Sequence, residues 1–203
     1  MLTKAEFALR LKNACLCVIA AEAELTEIDA KFGDADHGFT MAKVCNAIIA
    51  AIEESDGGIQ TLLDDAAMAV MAINGGSAVP LWNTWLDGMQ EAAPEAEEID
   101  VTGIKEIFAK AFEELDEMSG AKIGDKTMMD ALIPATEAIA AYAGDSEAEL
   151  FTQAAAAAAA GAENSKNFPS KFGRAKSYGA KTIGTPDAGA TSMSYFFQGL
   201  AQA

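Results

Sequence analysis

Basic residues are scarce in this chain: 14 Lys and Arg stand against 31 Asp and Glu, a formal net charge of −17 over 203 residues. A surface so acidic repels phosphate backbones and anionic headgroups, which argues against nucleic acid and membrane as partners. The same charge suits a protein that holds divalent cations. Aromatic residues make up only 7% and alanine is abundant, a balance that fits closely packed helices better than a β-sandwich. Histidine occurs once, at His37, and cysteine three times, with no Cys-x-x-Cys pair. A structural zinc site and a disulfide framework are therefore not expected. The cysteines read as reduced thiols, with Cys15 and Cys17 on nearly opposite sides of a helix and Cys45 standing alone. No uncharged apolar run approaches the roughly 18 residues that span a bilayer. No basic stretch with an apolar run and cleavage site opens the chain. A soluble, cytoplasmic protein is expected.

What is present is a helical period in a chain that is 51% apolar, enough for a sizeable core. Thr3-Lys4-Ala5-Glu6 reads as a capping box, and Phe7, Leu11, Cys15, Val18 and Ile19 then recur at spacings of three and four. Further helices are predicted around Leu25 and Ile28, over 41–53 and 59–73, from Pro80 to about Met89, over 101–118 and from Gly124 to Tyr142. Another is predicted over 146–163, and a last one from about Asp187. Pro134 falls inside one of them and should kink it. The seven alanines at 154–160 suggest a tightly packed, buried helix. Residues 164–186 show no period and read as a long functional or mobile loop. No strand is expected. The predicted fold is all-α, a single domain over 1–203 built as a barrel or bundle of about eight antiparallel amphipathic helices.

Four segments carry chemistry. Asp29, Asp34 and Asp36 place three carboxylates within eight residues. Such crowding suits a hard cation such as Mg²⁺ or Ca²⁺ shared with a nucleotide phosphate, or else a solvated acidic turn ahead of a helix. Asn74-Gly75-Gly76-Ser77 precedes a helix and offers backbone donors for an anion, though a plain turn has the same sequence. Gly124-Asp125-Lys126-Thr127 opens a helix but lacks the spacing of a Walker loop. Lys166, Lys171, Arg174, Lys176 and Lys181 concentrate the rare positive charge in the late loop, where they could face a metal–phosphate site or simply meet solvent.

Taken in order, these pieces resemble the nucleotide-binding L subunit of dihydroxyacetone kinases. The matching strings are Gly33-Asp34-Ala35-Asp36-His37-Gly38, Gly75-Gly76-Ser77 with Pro80-Leu81, Gly124-Asp125-Lys126-Thr127-Met128-Met129-Asp130, Gly173-Arg174-Ala175, and Gly184 with Asp187-Ala188-Gly189-Ala190-Thr191-Ser192. The resemblance implies a barrel of eight antiparallel helices with the nucleotide, ADP or ATP, at one end. It implies that Asp29, Asp34 and Asp36 hold two Mg²⁺ ions. It places His37, Gly38 and Thr40 at the phosphates, Gly75, Gly76 and Ser77 in the phosphate turn, and Gly120, Thr127 and Met128 around adenine and ribose. Arg174 with Asp187, Ala188 and Gly189 would form the lid. No residue beyond this metal–phosphate site is expected to be catalytic. The sequence departs from the family at Ala35, where glycine is usual, at Gly-Gly-Ser-Ala-Val-Pro over 75–80, and in the lid, where Thr185 and Ala188 replace a usual His and Pro.

The implied activity is phosphoryl transfer to dihydroxyacetone or a similar short ketose held by a partner K-type subunit. In one version ADP stays bound and is rephosphorylated by a phosphohistidine protein of the sugar phosphotransferase system, and this version is preferred. In the other, ATP exchanges, including in a kinase for a different short ketose. A non-catalytic nucleotide-binding regulator and a bare helical scaffold are the competing classes.

Overall fold

The computed structural model describes residues 1–202. The capping box forms as predicted: Glu6 N–H donates to Thr3 Oγ1 at 3.3 Å and Thr3 N–H to Glu6 Oε2 at 2.8 Å, opening α1 (Lys4–Ala20). Then follow α2 (Glu22–Ala30), α3 (His37–Glu54), α4 (Ile59–Met71), α5 (Ala78–Ala92), α6 (Val101–Ser119), α7 (Met129–Ala141), α8 (Glu147–Asn164) and α9 (Ala188–Leu200). Side chains of Asp100, Ser146 and Asp187 cap α6, α8 and α9, so short polar residues set four of the nine starts.

The packing closes a ring. Helix α1 packs on α3, α3 on α4, and so on through α8 on α9, and α9 returns to α1. Eight helices thus form a barrel, and from α3 to α8 short connections set successive neighbours antiparallel. Helix α2 lies outside the ring order, against α3 and α9. Both tryptophans and five of the ten phenylalanines are buried inside. Trp85 meets Trp82 and Phe196 edge-on at 5.5 Å each, and Phe108 lies 5.8 Å from Phe197 and 6.1 Å from Phe151. Edge-to-face pairs at such distances add to the burial of large rings. At the far end of α9, buried Arg10 donates to Leu200 O at 2.7 Å and lies over the Phe151 ring, a cation placed on a helix C-terminus.

Several expectations need correction. A two-residue strand pair is present, with Leu2 of β1 (Leu2–Thr3) opposite Ile99 of β2 (Glu98–Ile99); two residues are too few to show an alternating pattern. Gly124 to Met128 is not helical: Gly124 and Lys126 have positive φ, and Asp130 Oδ atoms accept the amides of Gly124 and Thr127 at 2.6 and 2.8 Å. That bonding delays α7 to Met129. The alanine run buries one face only, through Ala154 and Ala158, while Ala156, Ala159 and Ala160 are exposed. The late segment is ordered by 3-10 turns, one at Ser165–Asn167 and others over Arg174–Thr182 on either side of a kink at Gly179. All three cysteines are free thiols: Cys15 and Cys45 are buried, and burial pushes the Cys15 thiol well up, whereas Cys17 is half-buried.

Pro134 sits inside α7. It supplies no N–H, so the carbonyl of Asp130 loses its helical donor. Gly161 of α8 packs against that carbonyl so closely that a Cβ there would stand 2.0 Å from the oxygen. Among the described residues no helix is long and apolar enough to cross a membrane.

Candidate functional site

The starts of three helices converge at one end of the barrel. The first residues of α3, α5 and α9 and the turn before α7 surround a cleft of about 540 Å³, within the size range of small-molecule sites. Neither α3 nor α5 has a side-chain cap, so their first-turn amides lack the usual intramolecular acceptors and suit an anion.

Beside these donors lie the three carboxylates. One oxygen each of Asp29, Asp34 and Asp36 can be chosen so that all lie within 4.8 Å of one another. The loop that gathers them is tight: Gly33 N–H donates to Asp29 O at 2.6 Å, and Asp36 N–H to Asp29 Oδ2 at 3.1 Å. Ala35, between two of the acids, takes a left-handed φ of 62°. Burial, and then the charges of Asp34 and Asp29, push the Asp36 carboxyl above its usual range. Three hard oxygen donors gathered so closely are a donor set that suits a divalent cation.

His37 opens α3 with its ring turned to α9. Nε2 lies 3.0 Å from Ser192 Oγ and the ring also hydrogen-bonds the Ala188 main chain. Burial lowers its pKa, which favours a neutral ring locking two helix starts together. Thr40, one turn on, is buried and lines the cleft.

The opposite wall is apolar, formed by Leu81, Trp82, Met118 and Met128. Trp82 also packs on Phe196 at 5.1 Å, so this wall is continuous with the barrel core. Arg174 reaches across from the late loop to Asp34, with Nη2 at 2.7 Å from Oδ2. Tyr178 stacks obliquely on Phe32 at 5.2 Å. The late loop therefore touches the acidic loop at two points.

Of the residues singled out in the sequence, Asp29, Asp34, Asp36, His37, Thr40, Gly76, Ser77, Thr127, Met128, Arg174, Asp187, Ala188 and Gly189 all line this one cleft. Gly38, Gly75 and Gly120 do not. Gly38 lies under the α2 main chain, where a Cβ would meet Glu22 O at 2.1 Å, and Gly75 lies against Val79. Gly120 closes α6 in the left-handed conformation. These three shape the elements that bear the site. Ser119, Ala121, Lys126, Ser170 and Phe172 also line the cleft and were not expected there. Lys126 stood inside the Gly124-Asp125-Lys126-Thr127 motif without being given a role of its own, Phe172 adjoins the Gly173-Arg174-Ala175 string, and no motif marked Ser119, Ala121 or Ser170.

Barrel and cleft together define an all-α protein whose acidic cluster faces uncapped helix starts, a combination suited to a metal-bound phosphate compound. Residues 31–202 match the model of the DAK2 domain, and the chain belongs to that family. The L-erythrulose kinase of Pectobacterium atrosepticum is 33% identical over 192 residues, covering 91% of this chain and 32% of that protein. The D-erythrulose kinase of Mycolicibacterium smegmatis is 35% identical over 178 residues, 85% of this chain and 31% of that protein. The chain thus spans about a third of the length of these relatives. The ADP-binding subunit DhaL of the PEP-dependent dihydroxyacetone kinase of Escherichia coli is 28% identical over 196 residues, 93% of this chain and 92% of that one. The native dihydroxyacetone kinase of C. freundii superposes with a TM-score of 0.75 at 24% identity, over 98% of this chain and 34% of that one, a likeness of fold.

Proposed function

We propose that this chain, acting as a single domain, is the nucleotide-binding, phosphoryl-donor subunit of a dihydroxyacetone-kinase-type enzyme. The observation that carries the proposal is the three-carboxylate cluster beside the uncapped starts of α3 and α5 in one cleft. The family and the similarity to an ADP-binding subunit support the same reading.

Asp29, Asp34 and Asp36 would hold Mg²⁺, two ions on the family pattern, and ADP or ATP would be the nucleotide. When bound, the metal neutralises phosphate charge and holds the phosphoryl group in line. The chain's own residues do the rest by position. The amides of Ser77 and Ala78 and the first turn of α3 point donors at phosphate. Leu81, Met118 and Met128 offer an apolar slot for the base. Arg174 brings the positive charge of the lid to the phosphate side. No side chain in the cleft needs to act as nucleophile. The acceptor hydroxyl belongs to a short ketose held by a K-type partner subunit, with a phosphohistidine phosphotransferase protein renewing the donor. The erythrulose kinases among the relatives favour a four-carbon ketose as a second acceptor.

The test uses Asp34→Asn and Asp36→Asn. Both variants should keep wild-type helical content and lose the Mg²⁺-dependent rise in melting temperature given by ADP, since a ligand stabilises only the form that binds it. Persistence of that rise in both would remove these carboxylates from the metal site. With a K-type subunit, phosphate should then appear on dihydroxyacetone or erythrulose only when the wild-type chain is present.

A further inference from the structure

Among the described residues Lys126 is the one buried lysine, 4% exposed, and it sits in a left-handed backbone conformation at φ 60°. Both features are unfavourable for this residue, so what its ammonium touches calls for an account. It donates to Ser165 O at 2.7 Å and to Thr185 O. Ser165 follows directly on α8, and Thr185 lies two residues before Asp187, the cap of α9. One ammonium therefore joins the two ends of the 165–187 loop that carries Arg174. Around it the same junction is sewn by Gly184 N–H to Lys166 O at 2.8 Å and Asp187 N–H to Ser165 Oγ at 2.9 Å. Lys171 adds a main-chain bond to Asp125 O at 3.1 Å and a side-chain bond to Asp125 Oδ1 at 2.7 Å.

The other half of the clasp is the turn Lys126 belongs to. Asp130 fixes that turn through the amides of Gly124 and Thr127, and the turn delivers Thr127 and Met128 to the cleft wall. Lid base and base-binding wall thus meet at one buried charge. Its acceptors are carbonyl oxygens, and the carboxyls of Asp130 and Asp187 lie further off. The surface contact of Arg174 with Asp34, by contrast, has the arginine 72% exposed, and exposed pairs hold little.

We propose that Lys126 is a positioning residue that holds the 165–187 loop against the 124–128 turn and so sets how slowly the cleft releases its nucleotide. The proposal rests on the nucleotide-binding reading above. Its test is a stopped-flow chase in which excess ADP displaces Mg²⁺-bound N-methylanthraniloyl-ADP. Lys126→Met removes two buried charge-assisted bonds and should speed release about tenfold or more, with Lys126→Arg between it and the wild type. Ile48→Val, a core change away from the cleft, controls for lost stability and should leave the release rate unchanged. Trypsin should cut the nucleotide-loaded Met variant faster after Lys171, Arg174 and Lys176. Equal release from wild type and Lys126→Met, or equal acceleration by Ile48→Val, overturns the proposal. Should Lys126→Met fail to fold, reductive methylation of the wild type decides: Lys126 should be labelled more slowly with Mg²⁺–ADP present, and equal labelling overturns the clasp. A wild type that never retains the analogue refutes the nucleotide reading itself, and the clasp with it.

Discussion

Ala35 carries a backbone conformation that its Cβ disfavours, at φ 62° between two of the clustered acids. A left-handed alanine costs about 1–2 kcal/mol, and glycine escapes that cost at some loss of chain entropy. Ala35→Gly should therefore stabilise the protein by up to about 1 kcal/mol, seen as a higher midpoint in urea; a clear destabilisation would mean the methyl group makes a contact that matters. Asp187 is the second telling residue. Burial, outweighing its bond to the Ala190 amide, raises its carboxyl to about 7. A carboxyl raised on folding stabilises the folded state while protonated, and that contribution is lost as pH climbs from the ordinary carboxylate range through about 7. Asp187→Asn keeps the cap on α9 and cannot titrate. The melting temperature of the variant relative to wild type should rise between about pH 4 and pH 8, and a constant difference would show that this carboxyl titrates normally. The acids at 29, 34 and 36 stood out by their spacing, because like charges so close in sequence call for a reason, although a solvated acidic turn would show the same spacing. Lys126 was not legible, because its burial is decided by Ser165 and Thr185, some 40 and 60 residues further on.

At the scale of the element, the strongest constraint is the α7–α8 contact. Pro134 frees the Asp130 carbonyl, and Gly161 admits the α7 main chain against α8. Gly161→Ala gains helix propensity worth about 1 kcal/mol, yet it places a methyl group 2.0 Å from a main-chain oxygen. Overpacking against backbone costs about 1–3 kcal/mol or more, so the variant should lose stability despite the better helix former. An unchanged urea midpoint would show that the two helices separate freely. Most helix positions followed from the 3.6 period because those helices bury a single stripe; α7, buried nearly all round from Met129 to Thr136, is the exception. The starts of α5 and α7 did not, since Pro80 lies inside the first turn of α5 and Asp130 diverts the amides before α7. The 165–187 segment showed no period because 3-10 turns and side-chain bonds such as Ser170 N–H to Thr182 Oγ1, at 2.9 Å, order it.

For the whole molecule, ring closure explains how so acidic a chain gathers its donors at one place. The barrel directs α3, α5 and α9 so that their positive ends reach one cleft, and these partly offset the acidic cluster. The sequence could show that the pieces existed and in what order. Their meeting depends on α9 closing against α1, a contact between the two ends of the chain. The central claim is that this cleft holds an adenine nucleotide through a divalent cation at Asp29, Asp34 and Asp36. The most direct test is to equilibrate the protein with ADP and Mg²⁺, with and without excess chelator, remove free ligand, denature in acid and quantify the nucleotide released. Near-stoichiometric ADP is expected with Mg²⁺ and little with chelator. No nucleotide in either sample, or equal amounts in both, would contradict it.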